Sequence, residues 1–239
     1  MTLHVFGDGH SKFLFERFKG AQIHWLGPVT MHRVGRDGLQ SLVKDEVTLG
    51  PDDWAVFVFG EIDLRCHLLK VADEQGSPRE KVIEDTASRY MAAISAFCQG
   101  HGVRNAVICG VVPPADPIWK NADYPVYGSL KERIAARRFF NKSLRSSSRE
   151  HGMAFLSIPR RYETWQGGLK RYLSDGGLHI ASDCTGAVCR QLAKVIGLAL
   201  QFRGESPTTV LKRYLQRRFL KPDDPAVLWD LGKTLTPLE

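Results

Sequence analysis

Four short stretches hold most of the residues able to do chemistry. The first is Asp8-Gly9-His10-Ser11. The second is Gly60-Glu61 with Asp63, Arg65 and His67, and the third is Pro113-Pro114 with Asp116. The fourth is Asp175-Gly176-Gly177 with His179, and Asp183 follows four residues later. Carboxylates and imidazoles gathered in one place can pass protons to and from a ligand, or hold a metal ion that activates water. Each residue also has an ordinary use: Asp8 can tie a turn, and His67 or Asp183 can cap a helix. Their positions make them one set, because most of them follow a run that reads as a strand.

Those runs are short and apolar: 3–6, broken by Gly7-Asp8-Gly9; 23–26; 54–59; 104–112, closed by Pro113-Pro114; and 153–158, closed by Pro159. The 54–59 run (WAVFVF) is uninterrupted, as in a strand covered on both faces of a parallel sheet. Helix-periodic segments lie between them. One follows the first run to about residue 19. A second spans 79–99 with Val82, Ile83, Tyr90, Ile94 and Phe97 along one face, stopped by Gly100 and Gly102. A third, very basic, spans 130–151 and stops at Gly152. A fourth is capped by Ser182 or Asp183 and runs to about 202, and Ser206-Pro207 opens a fifth. Strands alternating with long helices predict an α/β fold, a five-stranded parallel sheet with helices on both faces. Ligands of such sheets bind beyond the carboxyl ends of the strands, where the four stretches fall.

Composition narrows the classes further. The 239 residues are 43% hydrophobic and 25% charged, which excludes disordered and fibrous chains. No stretch approaches the roughly 20 apolar residues of a membrane span. Five cysteines without a CxxC pair suit a reducing, cytoplasmic setting rather than a disulfide framework or zinc knuckle. The net charge of +7 favours anionic partners, with Arg33, Arg36 and Arg65 near strand ends as candidates, while Trp25, Trp119 and Trp165 can stack on a sugar ring. No pattern for nucleic-acid binding is present. Residues 1–202 read as one α/β domain and 203–239 as a basic helical extension, in which Leu238-Glu239 reads as a cloning scar.

HVFGDGHS after the first strand, FVFGEID after the central one and SDGGLHIAS before the last core helix resemble, in order and spacing, the blocks of the SGNH (GDSL-like) hydrolases. The resemblance covers about 3–200. It implies a flavodoxin-like three-layer fold and hydrolysis or transfer of acyl esters, some on carbohydrates, without metal or cofactor. It further implies a Ser nucleophile after Gly-Asp, a His and an Asp in the last block, and an oxyanion hole from the nucleophile's backbone N–H, a Gly and an Asn.

Carried onto this chain, the nucleophile position is Gly9, which lacks a side chain but keeps a backbone N–H donor. His179 takes the base position. The Asp position is Gly176, so Asp175 must reach from one residue further back. The Asn position is Ile62, and the oxyanion glycine is Gly27 or Gly35. Asp8, Gly35, Glu61, Asp63 and Arg65 are the expected substrate-binding residues. Three readings follow. Gly9 is an inactivating replacement that Gly9→Ser would reverse; the chain is a non-catalytic member that binds its ligand; or Asp8-Gly9-His10, which also resembles the opening Asp-x-His pair of metallophosphoesterases, joins Asp63, Asp116, Asp175, His179 or Asp183 around a metal. Ser11, about a turn into the helix, points away from the strand edge.

Overall fold

The apolar runs fold into five strands: β1 (Leu3–Gly7), β2 (Ala21–Trp25), β3 (Trp54–Val58), β4 (Asn105–Cys109) and β5 (Ala154–Leu156). The computed structural model describes residues 1–197 apart from 45, 117–122 and 176, together with 208, 211, 212 and 215. The expected extension 203–239 and Trp119 therefore lie almost wholly outside the described residues. All neighbouring strands are parallel, in the order β2-β1-β3-β4-β5. This is the flavodoxin-like order, which reverses direction at β1 and β3.

Strand side chains alternate between two cores. Phe6, Phe57 and Ile108 face one layer with the helices α2 (Met31–Asp37), α3 (Leu68–Gln75), α4 (Arg79–Gly100) and α5 (Leu130–Glu150). Val5, Val56, Val58 and Val107 face the other, with α1 (Gly9–Phe15) and α6 (Gly186–Ile196). Burial on both faces explains why β3 tolerates no polar residue. All five cysteines are free thiols; burial pushes Cys98, Cys109 and Cys189 up to about 12, so they behave as apolar packing groups.

Several boundaries differ from expectation. α6 starts at Gly186, because Ser182–Cys184 form a separate tight turn, and it ends at Gly197 in the left-handed conformation rather than near 202. α2 and α3 were not expected; they are 7 and 8 residues long, too short for periodicity to reveal. α5 is fixed by a full capping box between Ser129 and Glu132. It ties down the end of β4: Asn141 accepts from the Val111 N–H at 2.7 Å and donates to its carbonyl at 3.1 Å.

Candidate active site

The turn after β1 is set by Asp8, whose Oδ1 accepts the His10 N–H at 2.8 Å and caps α1. Ser11 donates to the Asp8 carbonyl at 2.7 Å and is fully buried. Gly9 is the first residue of α1 and its φ is not positive, so an L side chain would not strain the backbone. The space for one is another matter. A Cβ on Gly9 would stand 2.9 Å from Nε2 of His179, with Cδ2 and Cε1 of the same ring at 3.7 Å. The imidazole aims its nitrogen at the place a residue-9 side chain would fill.

His179 is brought there by the loop ahead of α6. Ser174 and Ile180 form an antiparallel bridge, and the Asp175 N–H donates to the His179 carbonyl at 3.0 Å. Inside this loop Asp175 Oδ1 accepts from the Gly177 and His179 N–H groups at 2.8 and 3.2 Å, and Oδ2 lies 2.8 Å from His179 Nδ1. Asp175 thus reaches the imidazole across a separation of four residues; Gly176 itself lies outside the described residues. Phe13 stacks on the His179 ring with centroids 4.2 Å apart, and His10 lies against it at 4.5 Å. Phe13 was not anticipated. Its one signal is its place a helical turn after Gly9, on the same face of α1.

Beneath the ring lies a buried group of charges. Glu61 accepts from Arg65 Nε at 2.8 Å and stands 3.7 Å from His10 Nε2, an ion-pair rather than a hydrogen-bond separation. Arg65 also donates to the Tyr124 carbonyl at 2.7 Å, which ties the 123–127 segment to the site. Burial opposes charge on His10, but Glu61, Asp8 and Asp175 outweigh it and raise its pKa. Burial likewise disfavours the Glu61 carboxylate, and His10 and Arg65 still bring it to about 2. Asp8, with Oδ2 unpartnered, is pushed by burial up to about 7. His179 goes the other way: burial and the neighbouring His10 lower its pKa against the pull of Asp175. Two adjacent imidazoles are therefore driven apart, His10 toward the cation and His179 toward the neutral base.

Other expected site residues serve the scaffold. Both Asp63 oxygens cap α2, accepting from the Met31 and His32 N–H groups at 2.7 and 3.0 Å. Asp63 thus serves as the cap of α2. Gly35 lies inside α2 where that helix crosses α4, and a Cβ would meet Arg89 Cβ at 3.0 Å and the Tyr90 backbone nitrogen at 3.1 Å. Its role is close helix packing. Gly27 sits in the turn after β2, and Gly60 adopts φ +104° with Met31 and Val111 filling the place a Cβ would take, as only glycine permits. Ile62 is buried. Arg33 and Arg36 are exposed and paired with Asp37. Asp116 pairs with the buried Arg133, His67 and Trp25 are exposed, and Asp183 is half-buried in the turn before α6. Among the described residues, no three His, Cys, Asp or Glu side chains are arranged to hold a metal ion.

No protein-family model and no curated protein matches the sequence. Solved structures do. A structure from Streptococcus pneumonia described as a platelet activating factor aligns with a TM-score of 0.57 at 13% identity, over 82% of this chain and 83% of that one. A catalytic mutant of an acetylxylan esterase from Geobacillus stearothermophilus aligns at 0.52 and 11%, over 83% and 94%. The protein TesA aligns at 0.50 and 12%, over 82% and 98%. The chain shares the fold of these structures. In this fold residues 170 positions apart meet because the β1 turn and the loop before α6 open at one edge of the sheet. Among the described residues, no helix is long and apolar enough to cross a membrane.

Proposed function

We propose that the chain is an SGNH-type acyl-ester protein, hydrolase or O-acyltransferase in design, which with Gly9 holds its ester without forming an acyl-enzyme. The observation that carries this reading is the His179 nitrogen 2.9 Å from the missing Cβ of residue 9, with Asp175 at 2.8 Å behind the ring. A base oriented by a carboxylate and poised over a side-chain position is what a serine nucleophile requires. With glycine there, no hydroxyl is available to be deprotonated, and no covalent intermediate forms. The Gly9 N–H, one of the first-turn donors a helix leaves unpaired, still faces an ester oxygen bound beside the imidazole. The likeness to an acetylxylan esterase supports a carbohydrate ester as ligand, and no cofactor is required.

The decisive comparison is ester hydrolysis by the chain and by Gly9→Ser, on an aryl acetate and an acetylated xylo-oligosaccharide. In Gly9→Ser, Oγ attacks the carbonyl carbon while its proton passes to His179 Nε2, and Asp175 stabilises the imidazolium. The expected gain is at least about 10³-fold, insensitive to chelator and abolished by His179→Ala or lowered about 10³- to 10⁴-fold by Asp175→Asn. The new Cβ must push the ring back by a few tenths of an ångström, so the folded state of the variant is checked by circular dichroism. A folded Gly9→Ser with no more activity than the parent overturns the reading. So does chelator-sensitive activity already present with Gly9.

A further inference from the structure

α5 turns toward the core on one side and carries a row of cations on the other. Arg138, Lys142, Arg145 and Arg149 are exposed at spacings of four, three and four residues, so they form one stripe roughly 16 Å long. Among the described residues none of these four, nor the neighbouring Arg160, has a carboxylate within ion-pair distance. Like charges one turn apart destabilise a helix, and the sequence keeps them although only uncharged partners meet them, the Gln166 carbonyl for Arg138 and the Ser157 hydroxyl for Arg145. Arg138, Lys142 and Arg145 form one wall of a cavity of about 650 Å³ whose far side is built from 155–167. The single acid of that lining, Glu163, is already taken by the buried Arg137 at 2.8 Å.

A second feature stands at the rim. Trp165 is 91% exposed at the tip of a tight turn, in which the Thr164 N–H donates to the Gly168 carbonyl at 2.7 Å and Arg138 donates to the Gln166 carbonyl at 2.9 Å. An indole held in water on an anchored turn is a ready stacking face. Trp165 also lines a neighbouring cavity of about 450 Å³, which extends to Ser174 and Gly177 in the loop that carries Asp175 and His179. The two cavities share Thr164 and Trp165, which puts the indole on the rim between the cationic groove and the cavity beside the 174–177 loop.

We propose that the groove between α5 and 155–167 binds an anionic carbohydrate chain, bearing carboxylate or phosphate groups, with Trp165 stacked on a sugar ring between the groove and the ester site. Guanidinium groups pair with such anions in a two-pronged geometry that an uncharged glycan does not offer. A single-stranded nucleic acid fits less well: it needs a stacking ring for successive bases, whereas Phe155 is covered by Arg145 at 5.0 Å and Trp165 is the exposed ring of the lining. The link to an ester rests on the function proposed above; the groove itself does not.

The test is calorimetric titration of the full chain with hexagalacturonate, a phosphorylated oligomannoside, neutral xylohexaose and hexathymidylate. An anionic oligosaccharide should bind, with affinity falling as salt rises, while xylohexaose binds at least tenfold more weakly. Whichever of the two anionic sugars binds tighter identifies the anion. The triple variant Arg138→Gln/Lys142→Gln/Arg145→Gln should lose tenfold or more, and Trp165→Ala threefold or more. All four residues are exposed, and removing like charges should leave the unfolding midpoint unchanged or raised, which separates lost binding from lost folding. Absence of binding by both anionic sugars, tighter binding of hexathymidylate, or binding indifferent to these variants overturns the proposal. An active Gly9→Ser without groove binding leaves the ester reading standing alone, and groove binding with an inactive Gly9→Ser leaves the groove alone.

Discussion

Asp8 offers a prediction whose size follows from its surroundings. Its carboxyl is 1% exposed; Oδ1 caps α1 and Oδ2 has no partner, so burial raises its pKa from 3.8 to about 7. The folded chain therefore keeps a proton at pH 4–7 that the unfolded chain has released. Stability falls with pH wherever the folded state binds more protons, so the loss begins near pH 4 and is complete above about 7. A gap of about 3 pH units, at about 1.4 kcal/mol each, amounts to about 4 kcal/mol. Asp8→Asn keeps the cap, since asparagine caps about as well as aspartate, and it cannot ionise. Below about pH 4 the two proteins should be nearly equal, because a protonated carboxyl and an amide bury similar donors, and by pH 5 the variant should already lead by about 1–2 kcal/mol. At pH 8 the variant should be more stable, by about 2–4 kcal/mol once the lost attraction to His10 is counted. Urea unfolding at pH 5, 6, 7 and 8 measures this difference. His10 has a raised pKa, so its own contribution also fades as pH rises, but it is present in both proteins. A variant no more stable than the parent at pH 8, or a difference that does not grow with pH, refutes the reasoning.

Three further outcomes follow from the same geometry. Gly35→Ala should cost about 1–3 kcal/mol in urea unfolding, because its Cβ would press on Arg89 and Tyr90 and force α2 away from α4. Arg65→Met should cost about 3–5 kcal/mol by leaving Glu61 buried beside His10 alone, and pairing it with Glu61→Gln should recover part of the loss. The activity of Gly9→Ser should rise as His179 loses its proton. That imidazole is held below its ordinary 6.5, so the midpoint of the rise should lie below 6.5, and a midpoint above 7 contradicts the assignment of His179 as base.

The sheet was legible because each strand is a compact apolar run, and α4 and α5 were legible to within a residue or so because 21 or 22 residues repeat the helical period several times. α2 and α3 were not, since two turns give too little periodicity and α3 continues from a π-helical turn at Asp63–His67. In the site, Gly9 and His179 could be placed by block order. Asp175 could not be settled from spacing, because its reach depends on the backbone bridge that folds 174–180 back on itself. Gly35 was placed near a strand end by sequence distance, whereas its neighbours come from α4, more than 50 residues away. The Glu61–Arg65 pair has a readable four-residue spacing, but nothing local announces that His10 closes the same group.

The charges around Gly9 divide the work of recognition. His10 and Arg65 are balanced by Glu61 and Asp175, and Asp8 is held near the point where it is half protonated at neutral pH. A buried site so nearly neutral offers little long-range pull on an anion and little penalty to an uncharged ester carbonyl. The attraction available at a distance lies instead along α5, where unpaired cations face an open groove and salt governs their reach. An ester carried on an anionic sugar chain would thus be drawn by one surface and read by another. Trp165, exposed on its anchored turn, lines both this groove and the cavity that reaches Ser174 and Gly177, so under the proposal a stacked sugar ring would lie between them.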